Sequence, residues 1–330
     1  MKKIYFIIFL IFLSACSEDK RVENDNDLLQ ITFATDWKAQ AEQGGFYQAL
    51  ASGKYLEKGL DVKIIQGSAN INIPRLLASS SIDFGMGSNS FIPMNMVANN
   101  IPGKAVMAVF QKDPQIIMTH GDNNINSIDD IKDLPIMIAD ASIGGFWLWL
   151  KSKYNFNDSQ IRKKTISLAP FLKDVSSIQQ GYLTSEPYIF EQITGQQPKV
   201  FLMADYGYPS YGAMILASNK MIIENPDIVQ DFVDASIDGW VEYIYGDPSL
   251  GNQLILSENN EMTEAVLFQA IKKIREYNMI SNEVLLGKNI GTMSDKKWND
   301  FFTIMAENNV YDKTLNWKEA YTLDFIKEGN

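Results

Sequence analysis

Leu29-Gln30-Ile31-Thr32-Phe33, Asp36-Trp37, Gly44-Gly45-Phe46-Tyr47 and Gly59-Leu60-Asp61-Val62 follow one another near the start of a 330-residue chain. Their order reads as strand, loop, helix and strand. Apolar residues alternate with polar ones through Leu29–Thr35 and return in Leu60–Gln66, the two-residue period of a strand with one buried face. Between them Gly45–Lys58 reads as an amphipathic helix that ends at Gly59. This is a βαβ unit, and such units build parallel sheets. Trp37 stands in the loop after the first strand, with Phe46 and Tyr47 at the helix start. Rings beside free backbone N–H groups can hold a flat polar ligand. The competing reading is that all three are ordinary core aromatics.

The pattern repeats downstream. Gly67-Ser68-Ala69-Asn70 follows the second strand and precedes Pro74-Arg75-Leu76-Leu77. Asp83-Phe84-Gly85-Met86-Gly87-Ser88-Asn89 is a short strand leading into a helix at Ser90–Asn99. These turns fall at the C-terminal edge of a parallel sheet, where open α/β folds bind ligands. Ser68, Asn70, Ser88 and Asn89 serve there either as ligand contacts or as caps. Lys104–Phe110 is a further strand. The character changes around Gln111 to Gly121, and a second α/β series opens with Ile136–Ala139, Asp140-Ala141-Ser142-Ile143-Gly144-Gly145 and a helix at Phe146–Tyr154. Strands at Thr165–Leu168 and Val200–Met203, with helices at Phe171–Gln180 and Pro187–Thr194, complete it. Tyr211–Ala217 is an apolar strand returning to the first unit, and helices follow at Asp227–Tyr245, Pro248–Ser257, Thr263–Arg275 and Lys296–Asn308.

The expected architecture is therefore α/β with two lobes, mostly parallel sheets flanked by helices, and a helical C-terminal extension. Residues 28–113 and 212–330 form the first lobe and 114–211 the second. Residues 1–15 read as a secretory signal: Lys2-Lys3, a ten-residue apolar run from Ile4 to Leu13, then Leu13-Ser14-Ala15-Cys16. That run is short of the roughly 20 residues needed to span a bilayer. Leu-Ser-Ala-Cys looks like a bacterial lipobox, which makes Cys16 the lipidation site and residues 16–27 a polar tether. The expected location is the periplasm or cell envelope, with the lipid as the sole membrane attachment.

Composition removes several function classes. Cys16 is the sole cysteine and His120 the sole histidine, so no disulfide, cysteine cluster or histidine metal site can form within the chain. A serine triad would have to use His120, which has no nucleophile elbow near it. Gly85-Met86-Gly87 lacks the lysine of a phosphate-binding loop. A formal charge of −11 disfavours nucleic acid and anionic lipid as partners. Arginine occurs at positions 21, 75, 162 and 275 alone, which leaves few forks for a sulfonate or phosphate. No catalytic residue, metal or cofactor is expected, and the chain reads as a monomer that binds a small molecule.

The spacing Asp36-Trp37, Gly45, Tyr47, Ala49, Gly53, Gly59-Leu60-Asp61-Val62 resembles the NMT1/THI5-like family. The resemblance continues through Asp83-Phe84-Gly85, Gly181-Tyr182-Leu183-Thr184-Ser185-Glu186-Pro187 and Tyr208-Pro209-Ser210-Tyr211-Gly212. It implies a type II periplasmic-binding-protein fold, partnership with an ABC permease and ligand capture by cleft closure. It points to a planar nitrogen heterocycle such as a thiamine-pyrimidine precursor, with a small oxoanion such as taurine, another sulfonate or nitrate as the alternative, and an envelope enzyme on the same fold as the different-class alternative. The fungal synthases of that family carry a reactive histidine two residues before the position of Gly45, and here it is Gln43. They also carry a cysteine-rich motif that a chain with Cys16 alone cannot supply, so synthase chemistry is excluded. The expected ligand contacts are Trp37, Phe46, Tyr47, Ser68, Asn70, Ser88 and Asn89 from one lobe, and Gly144, Glu186, Tyr188 and Tyr208 from the other. Glu186, just before Pro187 at a helix start, is expected to orient the ligand.

Overall fold

The computed structural model describes residues 28–68, 71–165, 167–280 and 290–326. The signal and tether expectations, Cys16 and Asn70 lie outside that range. Two five-stranded sheets organise the rest. The first takes the order β2-β1-β3-β10-β4, with β1 at Leu29–Ala34, β2 at Leu60–Ile65, β3 at Phe84–Asn89, β4 at Gly103–Phe110 and β10 at Gly212–Ser218. The second takes the order β7-β6-β8-β5-β9, with β5 at Gln115–Thr119, β6 at Ile136–Ile138, β7 at Ile161–Lys163, β8 at Ile178–Tyr182 and β9 at Lys199–Leu202.

In each sheet four strands run one way and one is reversed: β10 is antiparallel to β3 and β4, and β5 to β8 and β9. The reversed strand is in both cases the one that enters from the other sheet. β4 hands the chain to β5 across residues 111–114, and β9 hands it back to β10 through Met203–Tyr206 and the turn beyond. The parallel strands β1, β2 and β3 therefore end on the same edge, as do β6 and β8.

The stretch from Gly44 to Lys58 is two helices, Gly44–Ala51 and Lys54–Glu57, interrupted at Ser52-Gly53. The expected helix at Phe171–Gln180 is replaced by a short one at Ala169–Lys173 followed by β8, and the expected strand at Thr165–Leu168 is replaced by β7 just before it. β8 is polar in sequence, and its Gln180 is used internally: Oε1 accepts from Ala139 N at 2.8 Å and Nε2 donates to Ser142 Oγ at 2.6 Å.

The twenty-residue helix Pro226–Tyr245 covers the first sheet. Phe232 stacks on Phe84 at 4.2 Å and on Tyr55 at 5.0 Å, and meets Phe33 edge-on at 5.4 Å. Its approach to Gly44–Ala51 depends on missing side chains. A Cβ on Gly45 would lie 2.1 Å from the Trp240 ring, and one on Gly239 would lie 2.3 Å from the Gly45 carbonyl. The paired glycines thus serve helix packing rather than approach to a ligand. The C-terminal helix Asp295–Glu307 lies against Phe146–Tyr154 and the turn Trp317–Ala320. It braces the crossover: Trp298 packs 5.5 Å from Tyr211, Lys297 Nζ lies 4.0 Å over the Tyr211 ring and donates to the Gln111 carbonyl, and Tyr211 OH accepts from Ser294 N at 2.9 Å.

Candidate functional site: an acidic seam between the sheets

The loop after β1 is fixed by its main chain. Thr35 Oγ1 donates to the Trp37 carbonyl at 2.7 Å, and Gly67 N donates to the same oxygen at 3.1 Å. Gly67 must be glycine, since a Cβ there would lie 2.4 Å from main-chain atoms of Thr35 and Asp36. Asp36 and Trp37 are consequently held half-buried at the C-terminal edge of the first sheet. Gln43, 2% exposed, sits on the single turn Ala41–Gln43 and donates from Nε2 to Asp36 Oδ1 at 3.4 Å. Its Oε1 is buried with no hydrogen-bond partner.

The neighbouring Glu42, 4% exposed, accepts from the hydroxyl of Thr184, which lies beyond the end of β8 and is fully buried. This contact ties the two C-terminal edges together, so the seam is closed here. Burial pushes the Glu42 carboxyl up to about 7 against the Thr184 hydroxyl, with the charges of Glu186 and Asp36 adding to the rise. Burial likewise raises Asp36, against hydrogen bonds from Ser88 and Gln43. At the crossover, burial pushes Asp113 up to about 7, opposed by the Gln115 N–H, Ser210 and the Lys297 charge. Lys297 is driven down to about 8 by burial, opposed by Asp113. The Tyr182 hydroxyl is raised by burial and then by Asp113, Asp36 and Glu42, which places it among the three acids. Desolvated carboxyls with raised pKa values are a recurrent mark of a functional site.

The expected contacts divide on this frame. Trp37, Ser88 and Asn89 stand at the seam's first edge, although Asn89 Oδ1 is taken by Phe91 N at 3.1 Å. Ser68 is exposed in the loop after β2. Phe46 does not present a face to the seam: it is fully buried, 4.9 Å from Phe33 and 5.5 Å from Trp240. Tyr47, 2% exposed, belongs to the same core. Both are core aromatics because the close packing at Gly45 draws the start of their helix under Trp240. From the second sheet, Gly144 is exposed with open space beside it, Tyr188 is half-buried, and Tyr208 is buried 5.2 Å from Trp149.

Glu186 requires a correction of role. Its carboxylate is held by Lys164 Nζ at 2.6 Å, by Tyr182 N at 2.8 Å and by the Ser185 hydroxyl at 2.6 Å. Burial works to raise its pKa, but the Lys164 charge and these hydrogen bonds leave it lowered. It is a satisfied anion at a helix start rather than an unengaged acceptor. The residues not anticipated are Glu42, Asp113, Tyr182 and Thr184. An acid two residues before Gly-Gly and another directly before Pro114 were the available signals.

Among the described residues no group of His, Cys, Asp and Glu is placed to hold a metal, and no helix is long and apolar enough to cross a membrane. His120 is buried in structural packing: Nε2–H donates to the Phe171 carbonyl at 2.8 Å and the ring stacks on Phe171 at 4.5 Å. Surface hollows are lined by Pro248, Phe268 and Arg275, and by Asn72, Arg75 and Leu76.

Comparison with known proteins agrees with the two-sheet fold. The chain is similar to a riboflavin-binding protein of Chloroflexus aurantiacus, with 22% identity over 92% of this chain and 88% of that one. It is similar to a formylaminopyrimidine-binding protein of Halalkalibacterium halodurans, with 21% identity over 84% of each. In structure it matches the periplasmic aliphatic sulphonate binding protein SsuA of Escherichia coli, with a TM-score of 0.66 at 14% identity, covering 89% of this chain and 92% of that one. That match establishes the periplasmic-binding-protein fold. The family model described as NMT1/THI5 like matches residues 40–249, and the chain belongs to the NMT1/THI5-like family.

Proposed function

We propose that the chain is the substrate-binding component of an ABC importer, and that it captures a small planar nitrogen heterocycle by closing its two lobes over the seam. The observation that carries this reading is the donor and acceptor balance of the seam. Asp36, Glu42, Asp113 and Gln43 Oε1 supply acceptors. Of the described arginines, Arg162 and Arg275 donate to main-chain carbonyls elsewhere and Arg75 is exposed. A sulfonate or nitrate offers acceptors alone and would meet these carboxyls unfavourably, whereas a ring bearing N–H groups satisfies them. Both relatives named above bind flat nitrogen heterocycles according to their names, which supports the same class. Trp37, half-buried beside Asp36, is the ring available for stacking. The work is binding and closure, with no covalent step.

The leader and Leu13-Ser14-Ala15-Cys16 support an extracytoplasmic location with Cys16 as the lipid attachment, and an ABC permease as the receiving partner. Isothermal titration of the purified protein against an aminopyrimidine, riboflavin and taurine tests the reading. Binding of at least one heterocycle is expected, weakened by about 1–3 kcal/mol in Trp37→Ala. Taurine as the sole binder would overturn it.

A further inference from the structure

We infer that Gln66 and Asn259 are positioning residues for the seam: together they hold the main chain of Ala39, and through it the half-buried Trp37 two residues earlier. The inference deepens the reading above and rests on it for what Trp37 touches. Ala39 is fully buried, and side chains bind both of its main-chain polar groups. Its N–H donates to Gln66 Oε1 at 2.9 Å, and its carbonyl accepts from Asn259 Nδ2 at 2.8 Å. Each amide has its orientation set by further bonds. Gln66 Nε2 donates to the Glu258 carbonyl at 3.1 Å and to the Glu258 carboxylate at 2.7 Å. Asn259 Oδ1 accepts from Glu261 N at 3.1 Å. Neither amide can be turned end for end without setting donor against donor or acceptor against acceptor.

The clamp has a firm base. Asn259 ends the helix Ser249–Glu258, and its own N–H donates to the Ile255 carbonyl at 2.9 Å. That helix is seated on the core of the first lobe by Gln48, a fully buried residue of Gly44–Ala51. Gln48 Oε1 accepts from Gly251 N at 2.7 Å and its Nε2 donates to the Asp247 carbonyl at 3.2 Å. Tyr243 OH, on the long helix Pro226–Tyr245, donates to Asn252 Oδ1 at 2.9 Å. Contacts thus run without a break from the core through Asn259 to Ala39. The Trp37 carbonyl is held separately, by Thr35 Oγ1 and Gly67 N. The main chain is therefore fixed at Trp37 and at Ala39 by bonds that do not use the indole. A ring carried on such a loop meets a flat ligand in one orientation and loses little freedom on binding, which is how preorganisation adds affinity. The Lys38–Glu261 ion pair at 2.7 Å joins the same two segments, but it is open to solvent and adds little beside the buried amides.

Two variants test this. Gln66→Met keeps the length of the side chain and removes its bonds. Asn259→Asp keeps the acceptor for Glu261 N and puts an oxygen where the donor to Ala39 stood. Thermal melts establish that both fold. Hydrogen exchange of the ligand-free protein, read on peptides that span Trp37 and Ala39, should be roughly 10-fold faster in each variant, the scale of one lost hydrogen bond, while the sheet keeps its protection. Isothermal titration against 4-aminopyrimidine and riboflavin should show about 2- to 10-fold weaker binding of whichever heterocycle the wild type takes. In a Trp37→Ala background the same substitutions should cost little further, because residues that act through one another are not additive. Unchanged exchange in both variants overturns the inference. So does an affinity loss that keeps its full size in the Trp37→Ala background, since the clamp would then act by another route. If neither heterocycle binds the wild-type protein, the heterocycle reading falls and the exchange measurement alone decides the clamp.

Discussion

Glu42, on a single turn after β1, accepts a hydrogen bond from Thr184, 142 residues further along and beyond the end of β8. Both groups are buried, so the contact exists when the two sheets' edges are together and has no equivalent when they part. Thr184→Val keeps the shape and removes the donor, leaving the Glu42 carboxyl buried without it. Ligand affinity should fall by about 1–3 kcal/mol, the range for stranding a buried polar group. The change should appear in the dissociation rate, since the bond forms after encounter. Stopped-flow dissociation measures this, and an unchanged off-rate would show that the contact does not hold the closed form.

Glu186 and Lys164 give an opposite expectation. Their side chains are each 18% exposed and 2.6 Å apart. Removal of one partner from a mostly buried pair leaves the other uncompensated. Glu186→Gln should therefore lower stability by about 1–3 kcal/mol, less than a fully buried pair would because some solvent reaches both groups. The affinity of the folded variant should stay within a few fold of wild type. Denaturant unfolding with titration separates the two effects. A large affinity loss at unchanged stability would return Glu186 to direct ligand contact.

The glycines make the core prediction. A Cβ on Gly45 would lie 2.1 Å from Trp240. That ring cannot retreat, because it is fully buried against Phe46 at 5.5 Å and Phe110 at 5.7 Å. Gly45→Ala should destabilise by about 1–3 kcal/mol or more, as overpacking does. Gly144→Ala has open space around it and should leave the melting midpoint in place. Thermal melts of the pair check both.

How much of this was legible in the chain follows from where the signals reside. β1, β2, β3, β4 and β10 were readable because apolar residues alternate or run together at a sheet core, and Pro226–Tyr245 because its apolar stripe is long. β8 escaped for a physical reason. Ile178-Gln179-Gln180-Gly181-Tyr182 is buried yet polar, and its glutamines bond to neighbouring strands and loops rather than to water. Periodicity cannot distinguish that from a surface. Phe46 and Tyr47 were visible as aromatics at a helix start, but their direction depends on Gly239 and Trp240, almost 200 residues away. Glu42 carried the weakest signal of all. Its burial comes from Thr184, and a three-residue turn has no period to announce which of its side chains points inward.

The buried acids fix the response to pH, and its sign is opposite to that of ordinary acid unfolding. Glu42 moves from an ordinary value of 4.5 to about 7, and Asp113 from 3.8 to about 7, in each case chiefly through burial. Between those values the folded chain keeps protons that the unfolded chain has already released. Stability then falls as pH rises, because the unfolded state binds fewer protons than the folded one. The contribution is complete below about pH 4 and is gone above about pH 7, with a slope of at most about 1.4 kcal/mol per pH unit for each carboxyl. Glu186, whose pKa is lowered, acts the other way, but in the window below its ordinary value of 4.5. Lys297, driven down to about 8 from 10.5, reverses the trend at higher pH: between those values the unfolded chain holds more protons, so stability rises again. The ligand-free protein should therefore show a fall in unfolding free energy from about pH 5 to about pH 7 and a shallow recovery above about pH 8. Glu42→Gln, which has no proton to lose, should reduce the slope of the fall and leave the recovery, which belongs to Lys297, in place. Guanidinium unfolding at closely spaced pH values measures all three. A stability that climbs steadily from pH 5 to pH 7 in the wild type would mean that Glu42 and Asp113 are ionised at their ordinary values, and that the seam is wetter than its packing implies.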